Sequence, residues 1–160
     1  MKKSPDPIAQ LMQEHDEALQ QLKYLNKAVH AFSQDGFSAK HFNQIKSALR
    51  FIEEEVSVHN DKEEVALFPI LERYVEGPTR IMRSDHKKLK QGFIQLRDAV
   101  KSVKEHRDSF SAIKKLVNVS KNVIQLFVNH IHKENYILFP LVQRFISKEE
   151  LREVAKKMVS

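Results

Sequence analysis

HNDKEEVALFP at residues 59–69 and HIHKENYILFP at residues 130–140 share one pattern, His-x-x-x-Glu followed by Leu-Phe-Pro. The first copy supplies His59, Glu63, Leu67, Phe68 and Pro69; the second supplies His130, Glu134, Leu138, Phe139 and Pro140. Each member recurs 71 residues later (130 − 59 = 71). On an α-helix a residue and the one four positions on share a face, so each copy aims an imidazole and a carboxylate the same way. His15 and His86 keep the same offset (86 − 15 = 71), and each precedes its His-x-x-x-Glu by 44 residues (59 − 15 = 44; 130 − 86 = 44). The remaining histidines fail this test. His30, His41, His106 and His132 map to Lys101, Ala112, Asp35 and Asp61, and are read as surface or loop residues. His132, two residues after His130, points about 200° away around the helix.

The surroundings of these residues predict helices. Apolar residues recur in alternating steps of four and three, the rhythm of one helical face. The first stripe runs Ile8, Met12, His15, Leu19, Leu22, Val29, after the helix-start signal Asp6-Pro7. The second runs Ile45, Leu49, Ile52, Val56, His59, Glu63, Leu67, Ile70, and the third Met82, His86, Leu89, Phe93, Leu96, Val100, Val103. The fourth is Ile113, Leu116, Val123, Phe127, His130, Glu134, Ile137, Leu141. SQDGFS, EGP at 76–78 and EHRDS at 105–109 break the chain between stripes. SKEEL at 147–151 reads as a capping box opening a short tail helix over 147–160, with Leu151, Val154 and Met158 on one side. The expected fold is all-α: an up-down-up-down four-helix bundle with a short C-terminal fifth helix, formed by residues 1–160 as one domain. Pro69 and Pro140 are expected to kink or end their helices.

In an antiparallel pair, residues equidistant from the turn sit at the same height. The midpoints of 15 and 59, of 63 and 86, and of 86 and 130 all fall at the inferred turns. His15, His59, Glu63, His86, His130 and Glu134 therefore belong to one layer, roughly 30 Å from the first and third turns and roughly 15–20 Å from the second. Six ionisable groups in an apolar core need a compensating partner. Four imidazoles and two carboxylates suit two first-row transition ions bridged by the carboxylates. Each ion would then receive about four protein atoms, leaving positions for an oxo or hydroxo bridge and for an outside ligand. Without metal, two facing carboxylates are expected to raise the pKa of at least one by desolvation and repulsion. Glu14 and Asp85 each precede an equivalent histidine; they read either as hydrogen-bond acceptors behind the site or gates to it, or as surface acids. Leu19, Leu67, Leu89, Phe93, Phe127 and Leu138 read as core that keeps the site dry, while Tyr24, Tyr74 and Tyr136 lie off the stripes.

Composition narrows the function. The 160 residues contain no Cys, which excludes disulfides, thiolate metal sites and thiol catalysis within them. The formal net charge is +6, but the lysine pairs are scattered among acids as on solvated helix faces, with no nucleic-acid module. MKKSPDPIAQ has no apolar stretch behind it, and no run approaches the ~18–20 residues that span a bilayer. A cytoplasmic protein without membrane or nucleic-acid partners is expected; oligomeric state is not set by the sequence.

The order His15, His59-x-x-x-Glu63, His86, His130-x-x-x-Glu134 resembles the hemerythrin family, in its cation-binding HHE branch, over roughly residues 5–146. The resemblance implies a non-haem di-iron centre within the bundle, with both carboxylates bridging. Oxygen-carrying hemerythrins use a fifth histidine one turn after the third-helix ligand, where this chain has Lys90, and an Asp where it has Glu134. Iron–sulfur repair proteins of the family share the four-His, two-Glu set and often carry an N-terminal cysteine-bearing domain, which is not among these residues. Three roles are expected from the resemblance. The first is binding of a diatomic gas (oxygen or nitric oxide) or an oxidant such as peroxide, for sensing, buffering or stress defence. The others are oxidoreductase turnover of peroxide or nitric oxide, and iron storage or donation for cluster repair. Iron is the expected metal, other divalent ions being compatible with the donor set.

Overall fold

A computed structural model describes residues 6–159 and contains five helices and no strand among them. Helix α1 spans Pro7–Asp35. Helix α2 opens as Ala39–Phe51 and runs on through the π turns Ile52–Val56 and Glu63–Leu67, which flank Ser57–Lys62, to close as Phe68–Leu71. Helix α3 is Pro78–Glu105; α4 is Phe110–Lys133, the π turn Glu134–Leu138 and Phe139–Phe145; α5 is Lys148–Met158.

The expected punctuation is in place. Asp6 accepts from the Ile8 amide at 3.0 Å ahead of Pro7, supplying one of the partners that the first helical amides lack. Gly36 ends α1 at φ +79°, and Gly77 precedes α3 at φ +104°, conformations that disfavour a Cβ. Ser109 caps α4 through the Ala112 amide at 3.2 Å. Ser147 and Glu150 form the reciprocal box that starts α5, both bonds 3.1 Å.

Helix α1 packs on α2 and α4, and α3 on α4 and α2, closing a ring of four. Two apolar clusters fill it. The larger, with Leu25, Phe32, Ile45, Leu96 and Leu116, occupies the part near the first and third turns. The smaller gathers Ile8, Leu11, Phe68, Leu71, Phe139 and Val142 at the other end, where α5 adds Val154 and Met158. Helix α5 lies against α1 and the π turn Glu63–Leu67. Burying each large apolar side chain contributes roughly 1.5–3 kcal/mol.

The prolines do not end their helices. In each π turn the chain bonds one residue further back than in an α-helix: the Phe68 amide reaches the Glu63 carbonyl, and the Phe139 amide reaches that of Glu134. Pro69 and Pro140 then stand in the first turn of a renewed α segment, where a missing amide hydrogen is tolerated. The extra residue also rotates the next turn of helix. Ile137, placed inward by a strict 3.6 period, is 54% exposed, while Leu138, Phe139 and Val142 take the core face. On α1 the buried line is Leu11, His15, Ala18, Leu22, leaving Met12 exposed and Leu19 half-buried. Size misled the expectation there, because small Ala18 holds the close-packed position.

Candidate metal centre

The layer forms at the boundary between the two apolar clusters. His15 comes from α1, His59 and Glu63 from α2, His86 from α3, and His130 and Glu134 from α4; all six are buried, both glutamates at 0% exposure. Their inward atoms fall into two overlapping groups, His15, His59, Glu63, Glu134 and Glu63, His86, His130, Glu134, each with its donor atoms within 4.8 Å of one another. The carboxylates belong to both groups.

Distances inside the groups suit a cation. His15 Nε2 lies 3.1 Å from His59 Nε2 and 3.1 Å from Glu134 Oε1. His59 Nε2 is 3.1 Å from Glu63 Oε1, His130 Nε2 is 3.0 Å from Glu134 Oε1, and His86 Nε2 is 3.4 Å from Glu63 Oε1. Two ligands at about 2.1 Å from one ion, at right angles, are about 3 Å apart. Several of these contacts are close without being aligned as hydrogen bonds. Both Glu63 oxygens, Glu134 Oε2, His86 Nε2 and His130 Nε2 are buried with no hydrogen-bond partner among the described residues. Orphaned acceptors in a dry core are costly, and a shared cation removes that cost.

The outward nitrogens explain the orientation of the rings. His15 Nδ1 donates to Asn135 Oδ1 at 2.7 Å, His59 Nδ1 to Glu14 at 2.8 Å, His86 Nδ1 to Glu64 at 3.2 Å and His130 Nδ1 to Asp85 at 3.0 Å. Each partner atom is an oxygen acceptor, so in a neutral ring the proton sits on Nδ1 and the Nε2 lone pair faces inward, as a metal requires. Glu14 and Asp85 are thus acceptors behind the site, not surface acids. Each is held in turn by a lysine, Lys62 on Glu14 and Lys133 on Asp85, both at 3.0 Å. Sequence reasoning passed over Glu64, Asn135, Lys62 and Lys133, although both pairs obey the offset of 71 (135 − 64 = 71; 133 − 62 = 71). The repeated Leu-Phe-Pro also acquires a purpose. Phe139 stacks on His15 with centroids 5.4 Å apart, and Phe68 stacks on His86 at 5.7 Å.

Electrostatics point the same way. Burial works against charge on His59 and on His130, yet the negative groups around them, Glu63 for His59 and Glu134 for both, override it and raise their pKa values. Glu134 is not a carboxylate that is raised, but one that is lowered. Burial pushes it up, but contacts with Glu63, His130, His15 and His59 hold it well below the usual carboxylate range. Burial likewise opposes ionisation of Glu14, but hydrogen bonds from His59 and Lys62 bring it down to about 2. The layer demands positive charge, which protons on histidine or a metal can supply.

A cavity of about 40 Å³ reaches His15 and His59, lined also by Glu14, Ala18, Val56, Lys62 and Phe127. Its volume exceeds what one water needs and suits a diatomic molecule. His30, His106 and His132 are exposed and His41 is half-buried, all outside both donor groups. Tyr24, Tyr74 and Tyr136 are exposed, and so is Lys90. No helix among the described residues is long and apolar enough to cross a membrane.

Known proteins resemble this chain in sequence. The iron–sulfur cluster repair protein YtfE of Salmonella typhimurium is 30% identical over 96 residues, 58% of this chain and 44% of that protein. Those of Salmonella paratyphi B and Salmonella newport are 29% identical over the same shares. The match therefore spans less than half the length of these curated relatives. The family model described as the hemerythrin HHE cation-binding domain matches residues 6–157, all four bundle helices and nearly all of the fifth. With helices, paired His-x-x-x-Glu copies and converging donors all accounted for, the chain belongs to the hemerythrin HHE cation-binding family.

Proposed function

We propose that His15, His59, Glu63, His86, His130 and Glu134 hold two iron ions, with both carboxylates shared between them. The observation that carries this reading is the pair of donor groups overlapping in Glu63 and Glu134. Mixed imidazole and carboxylate donors suit iron, manganese or zinc; the family and its iron–sulfur relatives favour iron. When bound, the ions supply ligand-binding and redox chemistry that no side chain here has.

The chain's own residues prepare that chemistry. Asn135, Glu14, Glu64 and Asp85 fix each imidazole with its lone pair inward. Phe68, Phe139 and the two apolar clusters exclude bulk water. The small cavity at His15 and His59 limits the incoming ligand to the size of oxygen, nitric oxide or peroxide. The protein is thereby read as a di-iron module that binds such a molecule in sensing, buffering or stress defence. A second reading, iron handling in iron–sulfur cluster repair, is favoured by the names of the relatives.

Elemental analysis after anaerobic ferrous loading tests the centre, with two ions per chain expected. Titrating the ferrous protein with nitric oxide or oxygen should change its optical spectrum at stoichiometric addition. An unchanged spectrum in fully loaded protein would exclude small-ligand binding and leave iron handling, which transfer of iron to an apo-cluster protein measures directly.

A further inference from the structure

The halves of the centre agree until the outer partners of His15 and His86. His15 leans on Asn135, a neutral amide, at 2.7 Å, whereas His86 leans on Glu64, a carboxylate, at 3.2 Å. These partners occupy equivalent positions, 71 residues apart. The remaining outer partners match in charge: Glu14 with Lys62 behind His59, and Asp85 with Lys133 behind His130. The His15/His59 pair is therefore backed by one carboxylate and the His86/His130 pair by two. A carboxylate accepting from one imidazole nitrogen makes the opposite nitrogen a stronger donor to a metal, and a neutral amide does so much less. Glu64 is 34% exposed at its side chain, so water screens part of this difference.

Solvent access adds to the asymmetry. The cavity of about 40 Å³ touches His15 and His59. Glu14, the acceptor behind His59, is 25% exposed at its side chain, while Asp85, its counterpart behind His130, is 5% exposed. By the cavity and by the acceptors behind His59 and His130, the side with the weaker backing is the more open, although Glu64 behind His86 is itself 34% exposed.

We infer that the two ion positions are unequal: the His86/His130 position binds its ion more tightly, and the His15/His59 position releases first. Glu64 is a positioning residue acting through His86, and Asn135 is its weaker equivalent. This rests on the two-ion reading above. Loss of a single outer carboxylate partner typically costs about 10–100-fold in metal affinity, and the screening of Glu64 places the difference near tenfold.

The test uses the full chain, loaded anaerobically with ferrous iron and checked for two ions by elemental analysis, then mixed with excess ferrous chelator. Release should occur in two phases of equal amplitude, separated about tenfold in rate. Asn135→Asp, nearly isosteric, should slow the fast phase and leave the slow one. Glu64→Gln should quicken the slow phase and leave the fast one. Far-UV circular dichroism checks that each variant folds; if Glu64→Gln does not, Glu64→Asn serves in its place. Single-phase release from the parent chain, or a Glu64 variant that alters the fast phase instead, overturns the inference. Loading well below two ions would overturn the two-ion reading itself, and the inequality with it.

Discussion

Helices α1 and α2 form one half of the molecule and α3 and α4 the other, and one departure from regular α-helix repeats between them. Glu63–Leu67 and Glu134–Leu138 are matching π turns, each starting at a carboxylate of the site and preceding a Phe-Pro. The additional π turn Ile52–Val56 has no partner, since the equivalent residues 123–127 are regular α-helix. The paired turns lie where geometry is shared: they seat a carboxylate and swing the next phenylalanine onto a histidine of the opposite half. The unpaired turn borders the cavity, where Phe51, Glu55 and Val56 line the wall. Symmetry is kept where donors must converge and is relaxed where the halves face solvent differently.

The strongest test of the shared geometry is removal of a shared carboxylate. Because Glu63 and Glu134 each belong to both donor groups, Glu63→Ala and Glu134→Ala should each take the chain from two ions to nearly none by elemental analysis. A variant that stably kept one ion would break the sharing.

A smaller effect concerns stability and pH. Metal held only by the folded chain stabilises it by roughly 4 kcal/mol when free metal is a thousand times its dissociation constant. His59 and His130 have raised pKa values in the metal-free fold. Their protonation therefore stabilises that fold fully below the unfolded value near ~6.5, and the gain is lost as pH rises through the folded pKa values. Metal requires both rings neutral, so protons compete with it over the same range. The melting-temperature gap between loaded and metal-free protein should be widest above the raised histidine pKa values, and should already be narrowing above pH 6.5. A gap that widened on acidification would reverse the sign of this linkage.

The outer acceptors give a graded comparison. Asp85→Asn and Glu14→Gln should each weaken metal binding, within about 10–100-fold, without unfolding the bundle. The Asp85 change should be the larger, since its carboxylate is 5% exposed against 25% for Glu14. Equal losses in competition with a chelator would show that solvent exposure does not weigh on these partners. Smallest of all, His132→Ala should leave metal content unchanged and stability within about 0.5 kcal/mol, because His132 is exposed and contacts only Tyr136 among ring partners. Loss of metal there would contradict the helical register of α4.

These contrasts also mark what the sequence reveals. The offset of 71 brought out six residues because identical types recur at both positions. It concealed Glu64 and Asn135 because their types differ, though their place in the fold is the same. The signals at Asp6, Gly36 and Ser147 located the helix ends because each acts through its own or nearby backbone. The π turns were illegible for the opposite reason. A single added residue leaves no compositional trace and shows only in which side chains become buried, as Ile137 and Leu138 demonstrate. Likewise the tail helix was readable from its capping box, but its seat against the π turn after Glu63 depends on tertiary packing.

That seat has a kinetic consequence. Helix α5 is tied to the end of α2 by Arg73 with Glu150 and Glu153, both at 3.5 Å, and by the Tyr74 hydroxyl to Glu150 at 2.7 Å. Such solvent-facing pairs contribute about 0–1 kcal/mol each, so the helix is retained mainly by Val154, Met158 and part of Leu151. An eleven-residue helix held by so few apolar groups is the natural unit to open locally while the bundle stays folded. Its amides should exchange with deuterium well before those of α4. Each such opening would uncover the turn that begins at Glu63, against which the tail packs.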